Sequence, residues 1–600
     1  MFLLLAVSSC AAPRSDDEPD GRGCTSTADC LGRMTLREKA GQMNQVSTAT
    51  IKDKPQDLAT YGVGSVLSAV GGSPTGTGGT AAQWADMVDG YQRQALKNRL
   101  GIPLLHGVDA VHGHNMVQGT TLFPQHIGMG ATRDPDLVRR AEDITRQEVL
   151  GTGIRWAFAP CVCVPRDDRW GRTYEGYGED PSIVSPLGAA AVRGLQGPRP
   201  GKDEVMATAK HFVGDGGTTF GTGDNGYLID RGDSRMSEAD LRKVHLPAFR
   251  AAVDAGVGSV MVTYSSWNGK KVHGDRYLIT DVLKKELGFH GIVISDFAGV
   301  REIKGSGYAD QVVRAVDAGI DMIMDPSRYK ATIDAIVQGV RDGRIPSSRV
   351  DDAVRRILDA KFSLDLFKHP YADRGYAKNI GSPAHRAVAR EAVRRSQVLL
   401  KNEGGALPLP RTGTYKIAVG GDADDLGLQL GGWSVSWQGH KGRTTTGTTL
   451  WQALRKTTAG TGISVRNVGA ATSGDYSADV GIWVGGERPY AEGHGDSADL
   501  ALGGDNARQL SALCARVKVC VAVLYSGRPL IITDQLPEVD AFVASWLPGT
   551  EAEGITDALF GKGFSGRLPV SWPKAVADEP INAGDGKKAL FPQGYGISPY

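Results

Sequence analysis

A few carboxylate, cationic and aromatic side chains stand at positions in this chain where chemistry could be done. The stretch "GIVISDFAGV" (291–300) reads as a short buried strand followed at once by Asp296. An aspartate there either caps the next helix, by accepting its first backbone N–H groups, or faces a site. Other strand-like runs end in the same way. Asp109 follows "LLHGV", Lys210 and His211 follow "VMATA", and Tyr264 follows "SVMVT". One such residue alone reads as a cap or a satisfied core group, whereas the recurrence reads as a site. "DRWGRTYEGYGEDP" (168–181) adds Arg172, whose planar fork of donors suits hydroxyls and carboxylates at close range. Arg169, in the same stretch, is expected to pair with Glu175 or Glu179. Further along, "GGWSVSWQG" (431–439) sets Trp433 and Trp437 among glycine and serine. That setting favours an exposed aromatic clamp, and sugar C–H faces stack well on indoles. "GGERPYAEGHGD" (485–496) places Glu487 and Glu492 in a loop directly after a strand, where a glutamate is ordinarily solvated.

These residues need a frame. From about residue 60 short apolar runs alternate with amphipathic segments. Strands are predicted within 62–70, 103–111, 155–160, 205–212, 259–267, 291–296 and 318–325. Helices are predicted over 134–150, capped by Asp134, and over 237–256, capped by Ser237 and closed by Gly256. Alternation of this kind predicts a parallel α/β fold, a (β/α) TIM-like barrel with its site at the C-terminal ends of the strands. The pattern loosens between about 366 and 390. A helix over 386–400 then opens a second unit, with strands at 415–421, 478–486, 517–527 and 539–547 and a helix at 447–460. This predicts a doubly wound α/β sandwich domain. The expected division is a leader and tether at 1–23, the barrel at 24–368, a linker at 369–388 and the second domain at 389–600.

Length and composition agree with two folded units. The chain has 600 residues, with 41% apolar and 22% charged side chains and a formal net charge of +1. A near-neutral chain without a basic cluster gives no electrostatic case for nucleic acid. Phe2 to Val7 is apolar but too short to span a bilayer, and it reads as the tail of a signal peptide. "VSSC" resembles the lipobox of bacterial lipoproteins, with Cys10 lipidated, although the usual basic n-region is absent. Residues 11–23 read as a disordered tether. A secreted or lipid-anchored extracellular protein is therefore expected, touching membrane only through Cys10, and a monomer. Six further cysteines form three local pairs. Cys24 with Cys30 and Cys514 with Cys520 have short-loop spacing. Cys161 and Cys163 are two residues apart, too distant to bridge on a regular strand. They also lack a partner set for zinc, and no HExxH motif is present. No cofactor or metal is expected.

The motifs together resemble glycoside hydrolase family 3, the β-glucosidase and exo-β-glucanase family. The matching segments are "HGVDAVHGHN", "GATRDPDLVRR", "DDRWGRTYEGYGEDP", "AKHFVGDGG", "VTYSSWNG", "GIVISDF", "GGWSVSWQG", "GERPYAEGHGD", "WLPGTEAEGITDALFG" and "GRLPVSWP", in order over about residues 30–600. The two-domain exo-glucanase type of plants and bacteria is the most similar subgroup. The resemblance implies that Asp296 is the catalytic nucleophile and Glu492, from the second domain, the general acid/base. It implies that Asp109, Arg172, Lys210, His211, Tyr264 and Asp224 hold the terminal sugar, and that Trp433 and Trp437 grip the next one. Phe297 stands where the family often has tryptophan, which would loosen the pocket floor.

A retaining exo-acting β-glucosidase follows as the expectation. Its two carboxyl groups would lie about 5–5.5 Å apart, with Asp296 ionised beside Lys210 and Glu492 protonated. Lys210, His211 and Arg172 would form a cationic rim. A β-xylosidase or β-N-acetylglucosaminidase is the nearest alternative. The latter fits less well, because single-domain members of that type take their acid from a barrel loop. A non-catalytic glucan-binding lipoprotein would not need both Asp296 and Glu492.

Overall fold

The structure is a computed structural model that describes residues 23–68, 71–76, 78–470, 472 and 476–598. Cys10 and the leader lie outside the described residues. Eight short parallel strands open the fold: β1 (Asn44–Ser47), β2 (Ser65–Ser68), β3 (Leu105–Val108), β4 (Trp156–Ala157), β5 (Thr208–Phe212), β6 (Ser259–Val262), β7 (Ile292–Ile294) and β8 (Ile323–Met324). Hydrogen-bonded neighbours run β8–β1–β2–β3–β4 and β5–β6–β7. Parallel bridges Trp156 to Met206 and Ile294 to Met322 close the two seams. The sheet is therefore a barrel, with a helix in each later crossover. The predicted caps hold: the Asp134 side chain accepts the Leu137 N–H, and that of Ser237 the Asp240 N–H. Strand β1 was not predicted, because Asn44 and Gln45 interrupt any apolar run, yet both are fully buried.

The second unit is a six-stranded sheet. Its strands are β9 (Val398–Asn402), β10 (Lys416–Gly421), β11 (Ser464–Gly469), β12 (Ala478–Gly486), β13 (Val517–Tyr525) and β14 (Ala541–Trp546). Their spatial order is β9–β14–β13–β12–β10–β11, with only β9 antiparallel to its neighbour. The helix predicted over 386–400 stops at Ser396, and the chain turns into β9. Strand β11 escaped prediction because it is a largely exposed edge with the polar sequence "SVRNVG". One apolar layer of this sheet, containing Trp483, Trp546 and Trp572, continues into Val111, Ile127 and Tyr174 of the barrel. The two units thus share a core. Burial of each large side chain in it contributes about 1.5–3 kcal/mol.

All three cysteine pairs are bonded. Cys24–Cys30 and Cys514–Cys520 agree with their spacing. Cys161–Cys163, which the two-residue spacing left open, is bonded as well. The chain has left β4 and runs irregularly there, so the two Cα atoms lie 5.4 Å apart, within bridging range.

Buried polar contacts stitch the units together as well. Glu179, from the loop after β4, accepts hydrogen bonds from the Ser571 N–H (2.9 Å), the Ser571 hydroxyl (2.9 Å) and the Ala583 N–H (2.8 Å). Replacing Glu179 by alanine strands the two buried Ser571 donors and frees the part-buried Ala583 N–H. The variant should lose about 3 kcal/mol, read as a lowered midpoint in urea unfolding; an unchanged midpoint would show that water replaces the carboxylate without cost.

Candidate active site

The strand ends converge as the sequence requires. Asp109 directly follows β3, Lys210 and His211 lie on β5, Tyr264 lies two residues beyond β6, and Asp296 two beyond β7. All five line one cavity of about 570 Å³, a volume ordinary for a small-molecule site. Leu67 on β2, Phe158 just after β4, Met261 on β6 and Met324 on β8 supply its apolar wall. Arg172 enters from the 168–181 loop. The sandwich contributes Trp433, Trp437 and Glu492.

Arg172 organises the centre. Its Nε and Nη2 donate to Glu175 at 2.9 and 2.8 Å, a bidentate pair. Nη2 also reaches His211 Nε2 at 3.2 Å, and Nη1 approaches Glu492 Oε1 at 3.5 Å. His211 bonds Asp215 through Nδ1 at 2.8 Å. Burial, together with Arg172 and Lys210, holds His211 well below the usual imidazole range, so the ring is neutral. Of the three residues expected to form the cationic rim, Arg172 and Lys210 carry charge, and Arg231 adds a further cation to the same wall. Lys210 Nζ lies 3.4 Å from Asp109, so its charge serves Asp109 and not Asp296.

Asp296 is 8% exposed. Oδ1 accepts the Phe297 N–H at 2.7 Å, and its own N–H donates to His273 Nε2 at 3.0 Å. Oδ2 has no hydrogen-bond partner among the described residues, and the nearest cation-capable atom is His211 Nε2 at 3.7 Å. Burial pushes this carboxyl up to about 7, opposed chiefly by the Arg172 charge. Burial thus works against the ionised form expected of Asp296, because a dry wall penalises the carboxylate while Arg172 and Arg231 favour it.

Glu492 sits at the start of a short turn with φ +55°, held by Arg231, whose Nη2 donates to Oε2 at 2.9 Å. Arg231 also covers the Tyr264 ring, with Cζ 3.9 Å from its centroid. It was missed in the sequence because it belongs to the long loop after β5, not to a strand end. Its only local sign was the charged run Asp230–Arg231–Gly232–Asp233. Asp215 and His273, in the loops after β5 and β6, were missed as well, and Glu175, in the loop after β4, was named only as a partner for Arg169.

Other expectations shift. Asp224 is not on the cavity wall. Lys271 draws it outward at 3.0 Å, and its neighbour Asn225 takes the lining position. Phe297 is 40% exposed, so its ring belongs to the rim and not the floor. Trp433 is only 8% exposed, with Nε1 donating to Glu175 at 3.1 Å, while Trp437 is half-buried and packs edge-on against His494. Arg169 pairs with Asp167, two residues before it, and not with either glutamate. Glu487 is engaged by Arg528 away from the cavity. Cys161, His211 and Asp215 bring potential metal ligands within 4.8 Å of one another, but the Cys161 sulfur is tied in its disulfide.

A barrel whose strand ends carry Asp109 and Asp296 and a docked sandwich that adds Glu492 to the same cavity form the frame of a two-domain glycoside hydrolase. Residues 35–360 match the glycosyl hydrolase family 3 N-terminal domain and residues 397–599 its C-terminal domain, and the chain belongs to that family. It is 33% identical to a lysosomal beta glucosidase of Dictyostelium discoideum, over 92% of this chain and 72% of the relative. It is 31% identical to a periplasmic beta-glucosidase of Salmonella typhimurium, over 97% of this chain and 81% of the relative. The solved exo-1,3/1,4-beta-glucanase of a Pseudoalteromonas species superposes with a TM-score of 0.89 at 38% identity, covering 95% of this chain and 73% of that one.

The charges around Asp296 give a pH test. If hydrolysis needs its carboxylate, kcat/KM should fall as pH drops through about 7. The Arg231 charge lowers that value, so Arg231→Met should move the acid limb to higher pH. A limb that stays in place in the variant would assign it to another group.

Proposed function

We propose that this protein is a retaining, exo-acting β-glucosidase that releases glucose from the non-reducing ends of β-glucosides or β-glucan oligosaccharides. The observation that carries the reading is the shared cavity: Asp296 from the barrel and Glu492 from the sandwich line one pocket with Arg172 between their neighbours. The names of the relatives and of the solved neighbour, glucosidases and an exo-glucanase, support the same substrate class.

In this reading Asp296 Oδ2 attacks the anomeric carbon, because Oδ1 is occupied by the Phe297 N–H. Glu492 protonates the departing oxygen and afterwards takes a proton from water. Oε2 is held by Arg231, which leaves Oε1, with only the long contact to Arg172, to carry that proton. Asp109, Lys210, His211 and Arg172 surround the terminal sugar with buried donors and acceptors, so a sugar lacking one hydroxyl leaves one of them unpaired. The half-buried Trp437 and the rim ring of Phe297 flank the leaving group. Export follows from the same reading. Three disulfides suit an oxidising compartment, and one relative is named periplasmic. A lipid on Cys10 would then anchor the enzyme at the cell surface.

Proton NMR of an aryl β-glucoside digest tests the mechanism. β-Glucose should appear first, and α-glucose appearing first would remove Asp296 from the nucleophile's role. Asp296→Asn should lower kcat by at least about 10⁴-fold; wild-type turnover in a clean preparation would do the same. If glucosides are inert and aryl β-xyloside is cleaved, the sugar assignment changes while the roles stand.

A further inference from the structure

Three loops meet at the acid/base, and one side chain touches the backbone of the other two. Asp496 lies four residues beyond Glu492, just after the short turn Glu492–Gly495. Its Oδ1 accepts the Gly171 N–H at 2.9 Å. Its Oδ2 accepts three consecutive N–H groups, from Leu228 (3.0 Å), Ile229 (2.8 Å) and Asp230 (2.9 Å). Gly171 immediately precedes Arg172, and Asp230 immediately precedes Arg231. A carboxylate receiving four backbone donors forms charge-assisted bonds in a fixed geometry, as in anion-binding nests.

The packing around the contact is equally tight. A Cβ on Gly171 would fall 2.2 Å from the Glu492 carbonyl oxygen, and one on Gly493 would fall 2.2 Å from the Tyr227 ring. The Ser497 N–H donates to the Arg169 carbonyl at 2.9 Å, adding a second tie to the same loop. Asp496 does not line the cavity.

We propose that Asp496 is an interdomain latch that positions the acid/base: through its carboxylate the sandwich loop grips the backbones beside both arginines and so fixes Glu492 relative to them. It is a positioning residue and touches no substrate. The inference rests on the acid/base reading of Glu492, and the experiment separates the two.

A series of aryl β-glucosides of increasing leaving-group pKa is compared in wild type, Asp496→Asn, Gly171→Ala and Glu492→Ala. Asp496→Asn replaces one acceptor oxygen by an amide that cannot receive N–H groups. Gly171→Ala leaves the carboxylate intact and pushes the Glu492 loop away. A misplaced acid hurts only substrates that need protonation. Both variants should therefore lose about 100-fold in kcat/KM on the phenyl glucoside and less than about 5-fold on the 2,4-dinitrophenyl glucoside. Glu492→Ala should show the same selectivity, more steeply. A loss in Asp496→Asn that is equal for all leaving groups, or no loss, while Glu492→Ala stays selective, overturns the latch. If Glu492→Ala itself is unselective, the acid/base reading fails first. Should Asp496→Asn not fold, the selectivity of Gly171→Ala decides.

Discussion

A guanidinium kept from water must find an acceptor along each edge it presents, and Arg172 is only 3% exposed. Removing such a charge from solvent costs several kcal/mol unless partners surround it. Glu175 takes one edge in a bidentate pair, and the remaining donors turn to His211 and Glu492. His211 in turn faces Asp296 at 3.7 Å. The two carboxyls proposed for the reaction are thereby related through one planar cation. Lysine, with a single point of charge, has no fork with which to hold Glu175 while reaching the other two.

In the proposed mechanism that arrangement divides the work between the two folded units. A (β/α) barrel presents its functional groups from strand ends, all aimed from one side of a bound molecule. The opposing carboxyl proposed for the reaction, Glu492, lies here on the loop after β12. The shared apolar layer around Trp546 and Tyr174 makes the docking durable, while polar ties such as those of Glu179 set its register. Burial and charge pull in opposite directions within the cavity. The same dry wall that raises the Asp296 carboxyl to about 7 also strengthens its interaction with Arg172 and Arg231.

Much of this was legible in the sequence, for identifiable reasons. Strands with apolar runs, β3, β6 and β7 among them, announced themselves, and the residues following them were found by position alone. The caps Asp134 and Ser237 marked helix starts because their side chains do local work. What stayed hidden depends on long-range geometry. Strand β1 is buried with polar side chains, and β11 is an exposed edge, so neither carries the expected period. Arg231 occupies an irregular loop, and its importance arises only when Glu492 arrives from the other unit. Asp224 misled because the motif match fixes a position in sequence but not which way the side chain leans, and Lys271 draws it outward. The pairing of Cys161 with Cys163 stayed open because a two-residue spacing bridges only where the chain leaves regular strand geometry.

That last bridge has a bearing on how the enzyme is made. Cys161 and Cys163 pack with Trp170 and Ile229 in one small apolar cluster, so the bond lies among the roots of the segments that carry Arg172 and Arg231, with the Cys161 sulfur within 4.8 Å of ligand atoms on His211 and Asp215. Both cysteines are 2% exposed and therefore closed to reagents once the chain has folded. The oxidation state at this spot is consequently fixed during biogenesis. Protein produced in a reducing cytoplasm and protein produced in an oxidising compartment would be two distinct, long-lived populations that share one sequence, and a preparation containing both would behave as a mixture in kinetics while remaining a single species by mass to within two hydrogens per bridge.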